Sequence, residues 1–490
     1  MAISDQYLQR PHGWARLGWE RPRPDRIRDH PWAWRLAVAT VCFGAFMGQL
    51  DASIVTLTYQ PLRTEFHTGL AAVEWVSLAY MLALVALLIP VGRLSDARGR
   101  KLMYLYGFAV FTGASAACGL APTLAVLVAF RVVQAAGAAM LQANSVALVT
   151  TSAPPDRMRA ALGMQAAGQA IGLALGPTIG GALVATIGWR WVFGINVPVG
   201  VIALVAGHYL LPRTRQRSAA ATVDLRSVLS LALTSTAALL ALSVLSGLGV
   251  PTWTAAVLLA VSVLAGWYFW RRQGASPHPL VDLSLLRGGG GSGSDGGGGG
   301  GTAPGLAGGL SGYLVLFGPL VLIPVQLARH GIDALTSGLV LTALPVGFAL
   351  AATLADRALP PGWSDRARSR AGAAGCAVAL ALMLVLPLTA GWLPLPLGLL
   401  GLALGVFMPA NNTLVMRAIP ASAAGTGGGM VNMTRGLGTA LGVAAVALTL
   451  HLVSGETGTR AAVAVLLAFA LLTLATTATR GPRRRVTGRR

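Results

Sequence analysis

The sequence predicts an all-α polytopic membrane protein with fourteen transmembrane helices, arranged as six, two and six. Three observations support this fold class. Of the 490 residues, 54% are hydrophobic and 11% are charged, long apolar stretches recur along the whole chain, and basic residues concentrate in alternate connections between those stretches. A soluble domain carries roughly 25% charged residues, so this composition excludes a soluble enzyme.

The apolar stretches have the length of membrane spans, because a bilayer core of about 30 Å requires about 20 apolar residues in a helix. The first stretch is too long for the core of a signal peptide and lacks a cleavage site, so we expect it to remain in the membrane. The fourteen predicted spans are 34–59, 72–91, 102–121, 123–150, 160–185, 189–211, 224–246, 251–270, 309–329, 335–356, 370–388, 391–416, 424–452 and 458–479. An even number of spans places both termini on the same side.

The charge distribution predicts which side that is. The chain contains 37 Lys and Arg residues against 16 Asp and Glu, a net charge of +21. If the termini are cytoplasmic, the positive-inside rule is obeyed, and the outward loops contain only Arg63, Arg190, Arg329 and Arg460. The sequence therefore predicts a multi-pass protein of the cytoplasmic membrane, with basic flanks against anionic lipid and no nucleic-acid partner.

A glycine-rich segment divides the chain unequally. The sequence GGGGSGSDGGGGGG at 288–301 is too rich in glycine to offset the entropy of ordering it, and it predicts a flexible cytoplasmic linker. We expect the two spans before it to pack at the periphery without lining the transport path. The predicted domains are a basic N-terminal flank 1–33, a six-helix bundle 34–211, two linker helices 212–287, a Gly-rich linker 288–308, a second six-helix bundle 309–479 and a basic tail 480–490.

The sequence lacks the motifs that ATP binding and metal binding require. Lys101 is the only lysine and is followed by leucine, so the chain lacks the Gly-Lys-Ser/Thr element of an ATP-binding loop. Cys42, Cys118 and Cys376 are isolated in apolar stretches, and no histidines form a metal-ligand pair. We therefore expect no cofactor and no metal, with transport driven by a gradient or by a partner's nucleotide.

The first motif follows the second span. In GRLSDARGRK, residues 92–101, one acid stands among basic residues and two glycines, and we predict a short cytoplasmic loop that forms ion pairs between helices. Such pairs can break and reform as two halves rock; ordinary positive-inside charges are the alternative. The predicted gating residues are Gly92, Arg93, Asp96, Gly99, Arg100 and Lys101. This loop resembles the signature loop of the major facilitator superfamily, whereas its second-half copy, TLADRALPPGWSDRARSR, is degenerate.

The second motif lies in the fifth span. In GQAIGLALGPTIGG, glycines recur every four residues and line one helix face, which lets a neighbouring helix pack closely. The residues concerned are Gly168, Gly172, Gly176, Pro177, Gly180 and Gly181. The motif resembles the antiporter motif of exporters in the same superfamily, which implies transport out of the cell; a simple packing groove is the alternative.

Further segments resemble one branch of that superfamily, the 14-span drug:proton antiporters. These segments are LDASIVTLTYQPL, EWVSLAYMLA, WRWVFGINVPVG and HPLVDLSLL. The resemblance extends over residues 36–479 and implies a major facilitator fold, with two six-helix bundles around a central cavity.

Ionisable residues within apolar spans are functional candidates, because a charge there costs roughly 2.5–3.5 kcal/mol. Asp51 and Arg131 share a predicted depth about 12 Å below the outer surface, and the resemblance implies that their helices face each other across the cavity. We hypothesise that they interact and that proton and substrate compete for the carboxylate; a static ion pair is the alternative. Arg435 either lines the cavity or caps carbonyl groups exposed by nearby glycines. The other possible cavity-lining residues are Gln134, Gln142, Asn144 and Asn432.

Together these patterns predict a proton-coupled secondary exporter of drugs or amphipathic natural products, which works by alternating access with Asp51 as the coupling carboxylate. The expected partners are protons, the lipid bilayer and a small amphipathic or cationic substrate. A proton-coupled importer of a small metabolite is the alternative. An enzyme is not expected, because the short loops lack an acid/base or nucleophile cluster.

Overall fold

A computed structural model describes residues 20–28, 30–214, 224–245, 250–251, 253–276, 279, 286, 302–332, 334–360, 362–453 and 455–478. Every regular element among these residues is a helix, so the all-α prediction is confirmed. Residues 1–19 of the basic N-terminal flank, the polyglycine segment 288–301 and the tail 480–490 lie outside this description.

The α-helices are numbered here in chain order within the described ranges. They are α1 (Asp25–Arg28), α2 (Ala33–Ile54), α3 (Tyr59–Phe66), α4 (Leu70–Arg98), α5 (Arg100–Gly119), α6 (Leu124–Ser152), α7 (Met158–Thr186), α8 (Arg190–Gly194), α9 (Asn196–Leu210), α10 (Leu225–Leu245), α11 (Trp253–Ala275), α12 (Ala303–Arg329), α13 (Ala334–Ala358), α14 (Asp365–Val385), α15 (Pro394–Arg417), α16 (Ala424–Leu452) and α17 (Gly455–Ala478). Short 3₁₀ turns lie at Val55–Thr58 and Ala421–Ala423.

Each predicted span coincides with one long helix or, for the sixth span, with α8 and α9 together. In the described ranges, 13 segments are long and apolar enough to cross a membrane, and the 29-residue helix α7 accounts for the remaining predicted span. Several boundaries differ from the prediction by five residues or more, and two of these differences are described here. Helix α12 already begins at Ala303, inside the predicted linker 288–308, and α2 ends at Ile54, where a 3₁₀ turn leads into α3.

The predicted loop at 92–101 is wrong, because most of it is helical. Helix α4 continues to Arg98 and α5 begins at Arg100, so that Gly99 alone separates them. Gly99 has a φ angle of +112°, which a side chain disfavours, and this conformation reverses the chain within one residue. The polar end of α4 is helical because Ser95 and Asp96 are buried against other helices.

The long helices form two bundles. In the first bundle, α2 packs against α6, α7 and α9, while α5 packs against α6 and α9. In the second, α15 packs against α13 and α14, while α17 packs against α12 and α14. Fully buried aromatic side chains fill both cores, for example Phe108 in the first and Phe407 in the second. The bundles meet where α4 packs against α16 and where α7 packs against α13.

The two ends of the bundles differ in charge. We call the end that contains Gly99, Arg159 and Asp365 the basic end, and the end that contains Glu65 and Trp189 the opposite end. Arg159 of the first bundle and Asp365 of the second are joined by an ion pair. Their common location follows from the alternating direction of successive helices.

The two helices between the bundles occupy different positions. Helix α11 is peripheral, and its Trp253 and Trp267 side chains are exposed. Helix α10 instead packs against α4 and α16, with Leu239 in an apolar cluster that includes Leu82 and Val85. The expectation that both helices are peripheral is therefore wrong for α10, which closes the seam between α4 and α16.

Candidate functional site

A cavity of about 630 Å³ lies between the two bundles. Its lining residues extend from Leu88 and Gln142, in the middle of their helices, to Tyr59 and Glu74 toward the opposite end. Most of the wall is apolar and includes Met81, Leu84, Leu173, Leu239, Leu242, Phe317 and Val443. Cavities of this size and composition accommodate drug-sized molecules.

The basic end of the cavity is closed by Asp96 of α4. Its Oδ1 atom accepts a hydrogen bond from the backbone N–H of Gly425 at 2.7 Å, and its Oδ2 atom accepts bonds from the N–H and hydroxyl of Thr426 at 2.8 and 2.7 Å. The guanidinium of Arg100 donates to Oδ1 at 3.0 and 2.8 Å. A carboxylate at a helix N-terminus is stabilised by the free N–H groups and the helix dipole. We call the contacts between Asp96, Gly425 and Thr426 the α4–α16 clasp.

Glycines allow the backbones to approach at this clasp. A Cβ atom at Gly92 would lie 2.5 Å from the carbonyl oxygen of Gly425, and one at Gly429 would lie 2.6 Å from the carbonyl oxygen of Leu88. Gly92 therefore permits close packing of α4 on α16, and its predicted role in a turn is wrong. The partner glycines on α16 were not predicted, although the AGTGGGM pattern at the start of that helix was a usable signal.

The degenerate second-half segment forms another contact between the bundles. Arg159 of α7 donates to Asp356 at 2.6 Å and to Asp365 at 2.7 Å. Arg368 donates to Asp356 and Arg417 to Asp365, both at 2.8 Å. We call this five-residue network the α7–α13 clasp. It was missed because no single local motif contains its members.

The remaining predicted gating residues lie elsewhere. The ammonium group of Lys101 donates to the backbone carbonyls of Arg21, His208 and Leu211 at 2.8, 2.9 and 2.7 Å. Lys101 therefore holds the end of α9 and the N-terminal segment in place, and the ion-pair prediction is wrong for this residue. Arg93 is half-buried and, among the described residues, does not contact Asp96.

Asp51 and Arg131 do meet, inside the first bundle. Arg131 donates to Asp51 Oδ2 at 2.7 Å, and the Asp51 Oδ1 atom accepts bonds from Gln134 at 3.0 Å and Asn196 at 3.1 Å. Asp51 is 0% exposed and Arg131 is 1% exposed. Gln134 also donates to Ser115 at 2.7 Å. The network provides hydrogen-bond donors for both oxygens of the buried carboxylate.

This network lies behind the cavity wall. The Arg131 guanidinium stacks 4.0 Å from the centre of the Tyr80 ring, and Tyr80 lines the cavity, whereas Asp51, Arg131 and Gln134 do not. Helices α2 and α6 pack side by side in one bundle, so the prediction that they face each other across the cavity is wrong. The prediction of Gln134 as a cavity-lining residue is also wrong. Substrate in this cavity would not touch Asp51.

The structure places Gln142, Asn432 and Arg435 in the cavity wall. Arg435 donates to the side-chain oxygen of Gln142, and Asn432 donates to the backbone oxygen of Gln142 at 2.7 Å, which joins α16 to α6. Asn144 is not a lining residue; its amide donates to the Ser95 hydroxyl at 2.8 Å and links α6 to α4 near the clasp.

The glycine-rich face of α7 packs against α2. A Cβ atom at Gly172 would lie 2.5 Å from the carbonyl oxygen of Phe46, and Cβ atoms at Gly176 and Gly180 would overlap with residues of α2. Gly168 is the least crowded of this row, with its nearest atoms in Cys42 at 3.5 Å. Gly181 is not part of the contact, because no atom lies within 4 Å of a Cβ placed there. Pro177 lies within α7, and its side chain is outside the described part of the structure.

Glu65 organises the opposite end of the first bundle. Its Oε2 atom accepts a hydrogen bond from the indole N–H of Trp189 at 2.6 Å, and its Oε1 atom accepts one from Arg190 at 2.7 Å. These bonds, that of Arg190 first, lower the pKa of the Glu65 carboxyl below its ordinary value. The contact joins α3 to α8 within the first bundle and does not reach the second bundle.

Comparison with known proteins identifies related sequences. The model of the Major Facilitator Superfamily matches residues 41–443. The "Tetracenomycin C resistance and export protein" of Streptomyces glaucescens is 38% identical over 205 residues, which are 42% of this chain and only 38% of that protein. The "Drug efflux pump JefA" of Mycobacterium tuberculosis (strain CDC 1551 / Oshkosh) is 30% identical over 431 residues, 84% of this chain and 79% of that protein.

A solved structure shares the fold. The crystal structure of the human organic anion transporter MFSD10 superposes with a TM-score of 0.65 and covers 92% of this chain and 100% of that chain, at 17% sequence identity. At this level of identity the likeness concerns the fold alone.

Proposed function

The chain belongs to the major facilitator superfamily of membrane transporters, and we propose that it exports a small amphipathic molecule from the cell in exchange for protons. The observation that carries this proposal is the cavity of about 630 Å³, which is closed at the basic end by two clasps and extends toward the opposite end. With the basic end in the cytoplasm, as the positive-inside rule favours, this is the outward-facing state of an alternating-access cycle.

The direction of transport is supported by the relatives. The two sequence relatives reported above have names that describe export or drug efflux. In addition, α7 has the glycine-rich face that resembles the antiporter motif. Close packing of α7 on α2 is a structural property and has no direction of its own. Export is therefore inferred from family resemblance, and import is the outcome that a transport measurement has to exclude.

Alternating access requires the basic end to open reversibly. In the α7–α13 clasp, Arg159, Asp356 and Arg417 are 26%, 33% and 53% exposed, whereas Asp365 and Arg368 are 4% exposed. Exposed pairs contribute about 0–1 kcal/mol each. The α4–α16 clasp consists of hydrogen bonds from a helix N-terminus to the Asp96 carboxylate. Bonds to a charged group are worth about 1.5–3 kcal/mol each after exchange with water. Contacts with free energies in this range stabilise the closed basic end but can still be broken. Both clasps can therefore release when the two bundles move relative to each other.

Proton coupling is assigned to Asp51. Protonation of Asp51 would remove the partner charge of Arg131, whose guanidinium rests on the ring of Tyr80 in the cavity wall. A change at Asp51 is thereby transmitted to the substrate cavity without direct contact. Because Asp51 is closed off in the present state, proton exchange takes place in a different conformation. Each entering proton supplies about 2.3 kcal/mol per 100 mV of membrane potential.

The test is transport by the purified full chain in liposomes with an imposed pH gradient. Efflux or uptake of a fluorescent amphipathic dye, with proton movement followed by an entrapped pH indicator, measures direction and coupling together. We expect dye movement against proton movement, lost in Asp51→Asn and retained in the matched control Asp156→Asn, an exposed acid. Dye and protons moving in the same direction, or normal coupling in Asp51→Asn, would contradict the proposal.

A further inference from the structure

Arg131 and Arg435 are both buried in the middle of long helices, but their surroundings differ. Arg131 donates to the carboxylate of Asp51 at 2.7 Å. Arg435, which is 6% exposed, donates to the neutral amide oxygen of Gln142. Among the described residues, no carboxylate forms an ion pair with Arg435, and the ionisable side chains that influence it are the phenols of Tyr80 and Tyr313. Within the described part of the chain, Arg131 therefore has a carboxylate counter-charge and Arg435 has none.

Tyr80 presents a second unmatched polar group in the same wall. Its side chain lines the cavity together with Arg435, and one face of its ring is covered by the Arg131 guanidinium. The Tyr80 hydroxyl is buried and has no hydrogen-bond partner in the described part of the chain. Buried polar groups in folded proteins are normally paired, so an unpaired donor in a cavity wall points to a ligand.

The rest of the wall defines the shape of that ligand. The surfaces around Arg435 are apolar and include Leu84, Leu88 and Phe317, which suit an aromatic or aliphatic body. Glu74 lines the cavity six residues before Tyr80 on α4, about 9 Å closer to the opposite end. A carboxylate at that position disfavours a second negative charge on the ligand.

We propose that Arg435 and Tyr80 form a subsite that binds the acidic group of an amphipathic monoanion, so that the substrate class is a hydrophobic molecule with one carboxylate or similar acid. This inference rests on the proposed function and differs from the expectation of an amphipathic or cationic substrate by naming an anion. A carboxylate accepts hydrogen bonds from a guanidinium and a phenol at once and supplies the missing counter-charge. The apolar body then occupies the space toward Phe317 and Met81.

The experiment compares three probes that share one ring system: 2-naphthoate, 2-naphthamide and 2-naphthylmethylammonium. Binding to the full chain in an uncharged detergent is measured by isothermal titration calorimetry. We expect 2-naphthoate to bind at least about tenfold more tightly than 2-naphthamide, with the ammonium probe weakest. Equal binding of the three probes, or tighter binding of the ammonium probe, would overturn the proposal.

Substitutions test which residues cause the preference for 2-naphthoate. In Arg435→Gln, the affinity for 2-naphthoate is expected to fall about tenfold to that for 2-naphthamide, while Arg435→Lys keeps the order of the three probes. Tyr80→Phe should weaken 2-naphthoate binding about threefold and leave 2-naphthamide nearly unchanged. The matched control is Arg460→Gln, which removes an arginine that is 51% exposed. Full discrimination in a folded Arg435→Gln protein would contradict the assignment. If that variant does not fold, the proposal is tested by the effect of Tyr80→Phe and by the order of the three probe affinities in the wild-type protein.

The two proposals fail separately. If the wild-type protein prefers 2-naphthoate but moves no dye against a pH gradient, proton-coupled export is wrong and the subsite stands. If dye is exported but the three probes bind equally, the subsite is wrong and the transport function stands.

Discussion

The carboxylate of Asp96 on α4 accepts a hydrogen bond from the backbone N–H of Gly425 on α16, 2.7 Å away, across the boundary between the two bundles. The same carboxylate receives the guanidinium of Arg100 from its own bundle. Asp96 thus lies between a side chain of its own bundle and the N-terminus of a helix of the other bundle, a contact that the proposed opening of the basic end would break. We therefore expect the Asp96–Gly425 hydrogen bond to distinguish a closed basic end from an open one.

Asp96→Asn is expected to favour opening of the basic end. The substitution removes the charge that the α16 N-terminus stabilises, a loss of roughly 1–2 kcal/mol or a five- to thirtyfold change in population. Pulsed EPR between spin labels at Arg98 and Ala418, both exposed at the basic end and outside the two clasps, measures the change as a growing long-distance component. Asp156→Asn is the control. Identical distance distributions in Asp96→Asn and the wild type would show that the clasp does not set this equilibrium.

Gly172→Ala and Gly181→Ala are expected to behave differently although they belong to one motif. The new methyl group at Gly172 would lie 2.5 Å from a backbone oxygen of Phe46, whereas the one at Gly181 meets no atom within 4 Å. We expect Gly172→Ala to destabilise the protein by about 1–3 kcal/mol through forced separation of α7 and α2. Gly181→Ala should be neutral or slightly stabilising, because alanine favours helices. Thermal unfolding in detergent compares the two, and equal melting temperatures would refute the packing argument.

The positions of the helices could be predicted from the sequence, because length and hydropathy belong to each segment by itself. The direction in which Asp51 points could not be predicted. Neighbouring helical residues differ by about 100° around the axis, and Ala52 lines the cavity while Asp51 faces into the first bundle. An apolar helix that is covered on several sides gives no amphipathic signal to separate these faces.

The clasps were only partly predictable for a related reason. The motif around Asp96 marked a site of interaction, but its partners are backbone N–H groups of Gly425 and Thr426, more than three hundred residues away. Backbone groups carry no side-chain signature. The pairing of Arg159 with Asp356 and Asp365 likewise depends on the packing of α7 against α13, which is a tertiary property.

Acid is expected to weaken the opposite end of the first bundle through Glu65. Because Arg190 and Trp189 lower the pKa of this carboxyl from its ordinary value of 4.5, its contribution to stability is complete above that value. The contribution is lost as the pH falls through the lower folded-state pKa. Glu65→Gln should therefore melt at a lower temperature than the wild type near pH 6, with the difference shrinking toward about pH 3. A difference that stays constant over this range would exclude the ionised carboxylate as its cause.

Substitutions of Asp51 and Arg131 are expected to have strongly non-additive effects on stability. The double variant can therefore be used to distinguish a structural role of the pair from a role in proton transfer. Removal of one charge leaves the other buried without a counter-charge, at a cost of about 3–5 kcal/mol, since both side chains are at most 1% exposed. The double variant Asp51→Asn/Arg131→Gln should therefore be less destabilised than the sum of the single variants, as chemical denaturation would measure. If the double variant is folded and still couples export to protons, the carboxylate only fixes α2 to α6. If it binds substrate but no longer moves protons, the Asp51–Arg131 pair is needed for coupling, because no buried charge is left unpaired while the proton acceptor is still absent.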